Sequence, residues 1–296
     1  YYKTFFRPDW AWKYFEKPIR RLAGLGRLEP NAHHKYYDKA YLFTDVLVAG
    51  GGPAGLEAAI ASAEAGADTL LIDDWPEFGG SMLFARGDNG RPATDAARRA
   101  LVAKARSLSN LRLMTDTTVT GLFADNWASA ITGHRLYKIR SKHTIVATGA
   151  FDQPLVFRNN DRPGIMFADA AQRLMRLYGV KPGTRAVIAT SNRFGYEAAH
   201  DLLDAGVLVA AIVDLNEAPP SEAMEAARAR GIRIISGSTL VNASGKKRID
   251  AAAVSRITAE GRTSTAVEWI TCDLVLMSAG YSPSLNLASH AGAKVV

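Results

Sequence analysis

Three glycines have the spacing of a loop that holds the two phosphates of a dinucleotide. Gly50, Gly52 and Gly55 form a Gly-x-Gly-x-x-Gly motif between an apolar run and an alanine-rich stretch. In such a loop the first glycine permits a tight turn, the second lets the backbone approach a pyrophosphate, and the third lets a helix pack close to a strand. The amino end of that helix offers N–H groups and a favourable dipole to the phosphates. The chemistry predicted here is binding rather than bond making.

A carboxylate that could bind the ribose follows the next apolar run, where Asp73 and Asp74 are adjacent. An internal repeat favours Asp74, because residues 55–74 match residues 195–214 without a gap and place Asp74 over Asp214. An acid at this position accepts hydrogen bonds from ribose hydroxyls and repels a 2′-phosphate, which argues against NADP. Asp73 is expected to share the role. The motif fits FAD and NAD equally well.

The second copy of the repeat has lost most of the glycine pattern. Thr190 and Asn192 stand where the first copy has glycines, and only Gly195 is kept. Side chains at those two positions would crowd a pyrophosphate, so we expect one dinucleotide per chain. The alternative is that the second copy still binds a dinucleotide, since a fold can be kept after its sequence motif has been lost.

The elements around the motif predict an α/β protein. An apolar run, the glycine turn, a helix with Leu56 and Ile60 on its inner face and a second apolar run form a βαβ unit with a right-handed crossover. Strand-like runs at 111–123, 128–133 and 135–150 predict an antiparallel β meander that returns to the parallel sheet. The sequence thus predicts two Rossmann-like dinucleotide-binding units, the second inserted in the first.

The expected domains are a basic, aromatic-rich arm at 1–40, a first dinucleotide-binding domain at 41–183 and 273–296, and a second, degenerate one at 184–272. A helix near 167–178 should close the first part, and the apolar run at 273–283 should re-enter it. The arm holds nine Lys or Arg residues against four Asp or Glu. Large aromatic side chains usually anchor interfaces, so we expect the arm to dock on a neighbouring domain or subunit rather than on nucleic acid.

Several other kinds of site are excluded. The single cysteine, Cys272, cannot form a disulfide within the chain or a CxxC redox pair, and it is expected to be a packing residue. The histidines have no metal-binding spacing, and no GxSxG serine motif is present. No apolar run reaches the roughly 20 residues of a membrane span. Any hydride chemistry would belong to a cofactor. Because the sequence starts at Tyr1 without a methionine, we expect it to be a piece of a longer polypeptide.

Longer stretches resemble the α subunit of heterotetrameric sarcosine oxidase. The resemblance is carried by the leader as far as Gly26, by "GGGPAGLEAA", "DDWPEFGGSM" and "RLYGVKPG", and above all by "RLYKIRSKHTIVATGAFDQPLVFRNNDRPGIM". It touches most of the chain to Gly183 and continues more loosely to "CDLVLMSAGYSPSLNL". Opine oxidases, dye-linked proline dehydrogenases and hydrogen cyanide synthase have similar α subunits.

The resemblance implies a flavoprotein with two dinucleotide-binding domains inside a longer α subunit, with partner β, γ and δ subunits in the cytoplasm. That complex oxidises sarcosine to glycine with O2 and gives H2O2 together with formaldehyde or methylene-tetrahydrofolate. In the family, FAD in the β subunit carries amine oxidation, FMN lies at the α–β interface, tetrahydrofolate binds a domain outside this sequence, and NAD occupies the α-subunit fingerprint. Neither nucleic acid nor a membrane is implied as a partner.

The resemblance also implies a set of cofactor-binding residues, with no catalytic residue and no metal ligand. These residues are Gly50, Gly51, Gly52, Pro53, Ala54, Gly55, Asp73, Asp74, Trp75, Gly80, Ser81, Val119, Thr148 and Gly149. Val119 would line the adenine pocket, and Ser81 would touch the nucleotide. One departure concerns Trp75, which stands where the family commonly has a basic residue.

Two other functions fit the same residues. In the first, FAD occupies the first site and NADH visits the second, as in a self-sufficient reductase-type subunit of an opine oxidase, proline dehydrogenase or hydrogen cyanide synthase. In the second, the chain is a docking fragment with an empty site, against which the intact glycines and acids argue.

Overall fold

The computed structural model describes residues 8–24, 26, 29–31, 36–86, 95–217 and 221–294. The chain divides into a leader, residues 1–37, and a body, residues 38–296. In the leader, helix α1 spans Asp9–Leu22, and Arg20 forms an ion pair with Glu16 one turn earlier at 3.1 Å. The first seven residues of the predicted aromatic arm, four of them aromatic, lie outside the described residues.

The body begins with a six-stranded sheet, which with its helices we call the first lobe. Four parallel strands lie in the order β3-β2-β1-β6, and β5 and β4 continue the sheet antiparallel to β6 and to each other. This is the predicted meander, except that the run expected at 111–123 divides into the parallel strand β3 and the antiparallel strand β4. The strands are β1 (Asp38–Ala49), β2 (Thr69–Ile72), β3 (Leu111–Met114), β4 (Thr118–Phe123), β5 (Trp127–Thr132) and β6 (Arg135–Val146). The helices are α2 (Pro53–Glu64) and α3 (Asp95–Ser107).

Side-chain alternation along β1 explains how this sheet is covered. Val48 packs with Leu56 and Ile60 of α2, which are buried as the helical spacing predicts. Leu47 points the other way and packs with Ala128 of the meander. The parallel sheet therefore has both faces buried, as parallel sheets require.

A five-stranded parallel sheet and a four-stranded antiparallel sheet form the second lobe. The parallel strands lie in the order β11-β10-β9-β16-β8. They are β8 (Ile165–Phe167), β9 (Arg185–Thr190), β10 (Leu208–Asp214), β11 (Ile234–Ile235) and β16 (Leu274–Ser278), with helices α4 (Ala168–Tyr178), α5 (Arg193–Asp204) and α6 (Glu222–Ala229). The antiparallel strands are β12 (Ser238–Gly245), β13 (Ile249–Ala259), β14 (Arg262–Thr263) and β15 (Glu268–Thr271).

The apolar run expected to re-enter the first domain lies in the second lobe instead. Its strand β16 pairs with β9 and β8, and α4 likewise packs on α5 and β16. A fully buried strand has the same apolar pattern in either sheet, so the sequence could not show which of the two sheets this strand joins. The chain returns to the first lobe later, at α7 (Asn286–His290), where Leu287 enters the core beside Leu47. The prediction for this strand was therefore wrong.

Two short antiparallel strands, β7 (Ala150–Asp152) and β17 (Tyr281–Pro283), connect the lobes. Tyr281 pairs in register with Asp152, and its hydroxyl donates to Asp169 Oδ1 at 3.3 Å. Burial, and next the nearby Asp169 carboxylate, raise the pKa of Asp152 to about 6.

Asp152→Asn is expected to change the pH dependence of stability. The folded carboxyl holds its proton to about pH 6, whereas an unfolded aspartate releases it near pH 3.9. The stability that this group contributes is thus present below about pH 4 and lost as the pH rises to about 6. Urea unfolding of both proteins between pH 4 and 7 should show the variant gaining stability relative to the wild type as the pH rises. A constant difference between them would contradict this assignment.

A buried ion pair also joins the lobes. Arg86 follows the 3-10 turn at Gly80–Leu83, and its Nη1 lies 2.6 Å from Asp201 Oδ1 on α5. The two side chains are only 5% and 4% exposed. From α4, Arg176 and Gln172 donate to the same carboxylate at 2.6 and 2.7 Å. This carboxylate therefore binds three donor side chains from two separate segments.

Asp201→Ala should lower the free energy of unfolding by about 3 kcal/mol, because it removes the buried carboxylate that Arg86, Arg176 and Gln172 share. Asp204→Ala is the matched control one turn later. Asp204 also pairs with Arg86, at 2.8 Å, but its side chain is 46% exposed, so a loss of at most about 1 kcal/mol is expected. Equal losses in urea titrations would show that burial of Asp201 has no special weight.

Candidate dinucleotide-binding site

Two of the three motif glycines are required by the protein's own packing. Gly50 ends β1 with φ of +107°, a conformation that residues with side chains rarely adopt. A Cβ at Gly50 would collide with the carbonyl of Ala147, just past β6, and a Cβ at Gly55 would collide with the carbonyl of Gly50. These residues therefore set how closely α2 follows the strand.

Gly52 is different, because none of the described residues requires a glycine there. Its φ of −69° and ψ of −175° suit any residue. The nearest atom to an added Cβ would be the Cα of Gly80, at 4.0 Å. A glycine in ordinary geometry beside open space indicates that something other than the protein approaches the backbone.

The amino end of α2 faces the same space. No side chain caps it, and Pro53 occupies its first turn. The N–H groups of Ala54 and Gly55 have no acceptor within a helix that starts here. Uncapped N–H groups at a helix start favour an anion.

Asp73 is tied into the loop, whereas Asp74 is exposed. The backbone N–H groups of Gly51 and Trp75 both donate to the Asp73 carboxylate, the second at 2.9 Å. Burial raises the pKa of Asp73, and these two hydrogen bonds oppose the rise. Asp74 follows with its side chain in solvent.

The pairing of the strands shows that Asp73, not Asp74, is the counterpart of Asp214. Ala49 pairs with Ile72, which sets Gly50 opposite Asp73, and Thr190 pairs with Asp214 in the second lobe. The register of β10 shifts between Val209 and Ala211, which absorbs one extra residue.

The local hydrogen bonds agree with this correction. Asp214 Oδ1 accepts from the N–H of Asn216 at 2.9 Å, as Asp73 Oδ1 accepts from the N–H of Trp75. The ungapped repeat that favoured Asp74 is therefore misleading. A β-bulge adds one residue to β10, so a structural alignment of the two copies needs a gap that the sequence alignment lacks.

The other predicted residues gather around the loop. Gly79 N–H donates to Gly51 O at 2.9 Å, which places Gly80 beside Gly52 and Ser81 next along the 3-10 turn. Thr117 N–H donates to Asp73 O at 3.0 Å and so brings the strand of Val119 near the acid.

Thr148 and Gly149 lie past the end of β6 and bind the segment before α7. Thr148 Oγ1 donates to Ser284 O at 3.0 Å, and Ser284 N–H donates to Gly149 O at 2.9 Å. The segment therefore returns to the first lobe beside the loop.

A cation lies beside Trp75, the position where the sequence departs from the basic residue expected from the resemblance. The guanidinium of Arg173, on α4, lies 5.7 Å from the Trp75 ring centre and 4.4 Å from that of Phe84. Sequence reasoning missed Arg173 because the helix that carries it was assigned elsewhere. It also missed Phe78, whose buried ring packs against Gly51. A large apolar residue within the turn-forming segment "WPEFGG" was the available signal.

At the equivalent junction of the second lobe, between β9 and α5, the polar groups already have hydrogen-bond partners within the chain. Asn192 Oδ1 accepts from the N–H of Phe194 at 3.0 Å and so caps α5. Thr190 fills the space next to Gly195. The Tyr196 hydroxyl donates to Asp214 Oδ2 at 2.5 Å. A cavity of about 420 Å³ remains beside these groups. However, side chains occupy the turn where a pyrophosphate would bind.

Other reactive groups are few in the described part of the chain. No cluster of three or more His, Cys, Asp or Glu side chains there is arranged to hold a metal ion. Cys272 is buried, and burial raises its pKa to about 11, so a reactive thiolate is disfavoured. None of the described helices combines the length and apolar character of a membrane span.

Comparisons with known proteins agree with this geometry. Residues 44–296 match the family model of the pyridine nucleotide-disulphide oxidoreductases. The α subunit of sarcosine oxidase from Rhizobium meliloti (strain 1021) is 36% identical over 312 aligned residues, which cover all of this chain and 30% of that subunit. The chain spans about 30% of the length of the curated sarcosine oxidase α subunits that it matches.

Solved structures share the fold at lower identity. L-proline dehydrogenase from P. horikoshii superposes with a TM-score of 0.61 and 21% identity, over 90% of this chain and 48% of that one. Thioredoxin reductase from T. acidophilum gives 0.67 and 17%, over 83% and 80%. The chain, an α/β protein with Rossmann-like units, therefore belongs to the pyridine nucleotide-disulphide oxidoreductase family and is similar along its whole length to one part of sarcosine oxidase α subunits.

Proposed function

We propose that this chain is the NAD-holding portion of the α subunit of a sarcosine-oxidase-type complex. The observation that carries the proposal is Gly52, whose ordinary backbone and open surroundings reserve space for a pyrophosphate. The uncapped start of α2 would hold the phosphates, and Asp73 would accept hydrogen bonds from the ribose. Asp73 and Asp74 would repel a 2′-phosphate, which favours NAD over NADP.

In the proposed complex, sarcosine, O2 and water give glycine, formaldehyde and H2O2, or the one-carbon unit passes to tetrahydrofolate as methylene-tetrahydrofolate. A β subunit would hold FAD, which would supply the oxidising chemistry for the substrate's CH–N bond, and FMN would bind between the α and β subunits. The identity to curated α subunits supports this assignment. The residues of this chain hold and orient the dinucleotide and supply no acid or base. The complex would include γ and δ subunits, would be cytoplasmic, and would involve no nucleic acid.

The alternative places FAD in the first lobe and lets NADH visit the second, as a reductase-type subunit. The self-capped junction of the second lobe argues against this. A visiting dinucleotide would have to displace Asn192 from the start of α5 and compete with Tyr196 for Asp214.

The released ligand distinguishes the two functions. The full α chain, purified within its complex and then separated from its partners, is denatured, and the supernatant is analysed by absorbance and mass spectrometry. One NAD per α chain and no flavin supports the proposal. One flavin per separated α chain supports the reductase instead and overturns the NAD assignment.

Gly52→Ala should weaken dinucleotide binding without weakening the fold. A methyl group there meets no atom of the described residues closer than 4.0 Å, but it would stand where the pyrophosphate approaches. We expect the Kd for NAD, measured by calorimetry, to rise at least about tenfold, or about 1.4 kcal/mol, with unchanged stability in the absence of NAD.

Gly55→Ala is the matched control within the same motif. Its methyl group collides with the Gly50 carbonyl, so we expect loss of stability as well as binding. If Gly52→Ala binds NAD as tightly as the wild type, the pyrophosphate does not lie on this loop.

Asp73→Asn and Asp214→Asn compare equivalent acids in the two lobes. Removing the carboxylate should raise the Kd for NAD about tenfold at Asp73 and leave it unchanged at Asp214, because Asn192 and Tyr196 occupy the turn of the second lobe. Asp74→Asn should have the smaller effect of the adjacent pair, since Asp74 is exposed beyond the turn. A larger effect at Asp74 than at Asp73 would restore the assignment that the sequence repeat suggested.

A further inference from the structure

An aromatic and basic surface lies across four strands of the first lobe, away from the dinucleotide loop. We call it the outer face and define it by Tyr41, Phe43, Phe123, Trp127, Lys138 and Arg140. Phe43 pairs with Arg140, Arg140 with Trp127, and Trp127 with Phe123, in one continuous row. Tyr41 and Lys138 form the start of the next row. Residues paired in register point to the same side of a sheet, so these side chains share one face.

The outer face is apolar but exposed. The side chains of Phe43, Phe123 and Tyr41 are 67%, 60% and 60% exposed. On the opposite side of the same strands, Leu122, Ala128 and Ile139 are buried in the core. Scattered single apolar residues are normal on a protein surface, whereas aromatic side chains joined in a row mark an interaction site.

The cations on this face lie on aromatic rings rather than on acids. Lys138 Nζ lies 5.4 Å from the Tyr41 ring centre, and the Arg140 guanidinium lies 5.5 Å from that of Trp127. Among the described residues, neither cation has a carboxylate within ion-pair distance. The neighbouring acids are already engaged, Asp38 with Arg135 and Asp45 with Lys142. The face therefore has a positive charge that its own surroundings do not neutralise.

We propose that the outer face docks an acidic, partly apolar surface of a partner subunit. The inference rests on the proposed function only in assuming a multi-subunit complex. Interfaces between chains are enriched in Tyr, Trp, Phe and Arg, and charge complementarity selects the partner.

Charge argues against two other occupants. The leader is itself basic, with eight Lys or Arg against three Asp or Glu in residues 1–37, and a second copy of the chain has a net charge of +7. Either would place like charges against Lys138 and Arg140, which costs binding energy.

Zero-length carbodiimide cross-linking of the intact complex is the first test, because it joins an amine only to a carboxylate in direct contact. The result expected is a cross-link from Lys138 to an Asp or Glu of another subunit, identified by mass spectrometry. Cross-links only within the α polypeptide, cross-links to a second copy of it, or Lys138 acetylated in the complex as readily as in the separated chain would each overturn the proposal.

Charge reversal is the second test. Lys138→Glu combined with Arg140→Glu should weaken association of the α chain with its partners at least tenfold in analytical ultracentrifugation. The matched control combines Lys247→Glu with Arg262→Glu, which are exposed residues of the second lobe, and should leave association unchanged. Equal weakening by both pairs, or by neither, would overturn the proposal.

The NAD content of each variant separates this inference from the proposed function. A docked outer face without bound NAD would leave the interface standing while the NAD assignment fails. Bound NAD together with an outer face open to solvent in the complex would support the NAD assignment and contradict the interface.

Discussion

The close approach of Gly55 to the carbonyl of Gly50 is the constraint on which the rest of the site depends. Because no Cβ separates them, α2 begins immediately after β1 ends. The carbonyl of Ala147 lies against the other side of Gly50, so the same junction also fixes the end of β6. The open helix start, the loop and the segment with Thr148 are therefore held together by backbone packing. The Asp73 carboxylate, which accepts from the N–H groups of Gly51 and Trp75, then ties the loop to the end of β2.

The two lobes show how one topology can have opposite capacities for binding. Both have a strand, a turn, a helix and an acid held by the N–H two residues later. In the first lobe the polar groups of the junction face open space, whereas in the second they bind Asn192, Thr190 and Tyr196. A fold alone therefore says little about binding. What decides is whether the polar groups at the junction already have partners.

The features that were predictable from sequence are local ones. The glycine motif, the helix face with Leu56 and the meander all depend on residues close together in the chain, and the structure has each of them. Placing β16 failed because buried parallel strands are apolar on both faces and so give no sign of which sheet they join. The sequence repeat matched Asp74 with Asp214, whereas the strand register matches Asp73 with it, because a bulge changes register without changing spacing. Arg173 could not be paired with Trp75, since nothing local connects α4 to that loop.

The return of the chain at α7 has a consequence for how the first lobe forms. Leu287 completes a core whose other members include Leu47 and Ala130, so residues far apart in sequence must meet before that core is closed. Contacts of such long sequence separation form slowly, because the entropy of closing the intervening loop is lost before they stabilise anything. On a ribosome, the dinucleotide loop would emerge well before the segment that completes the core beneath it.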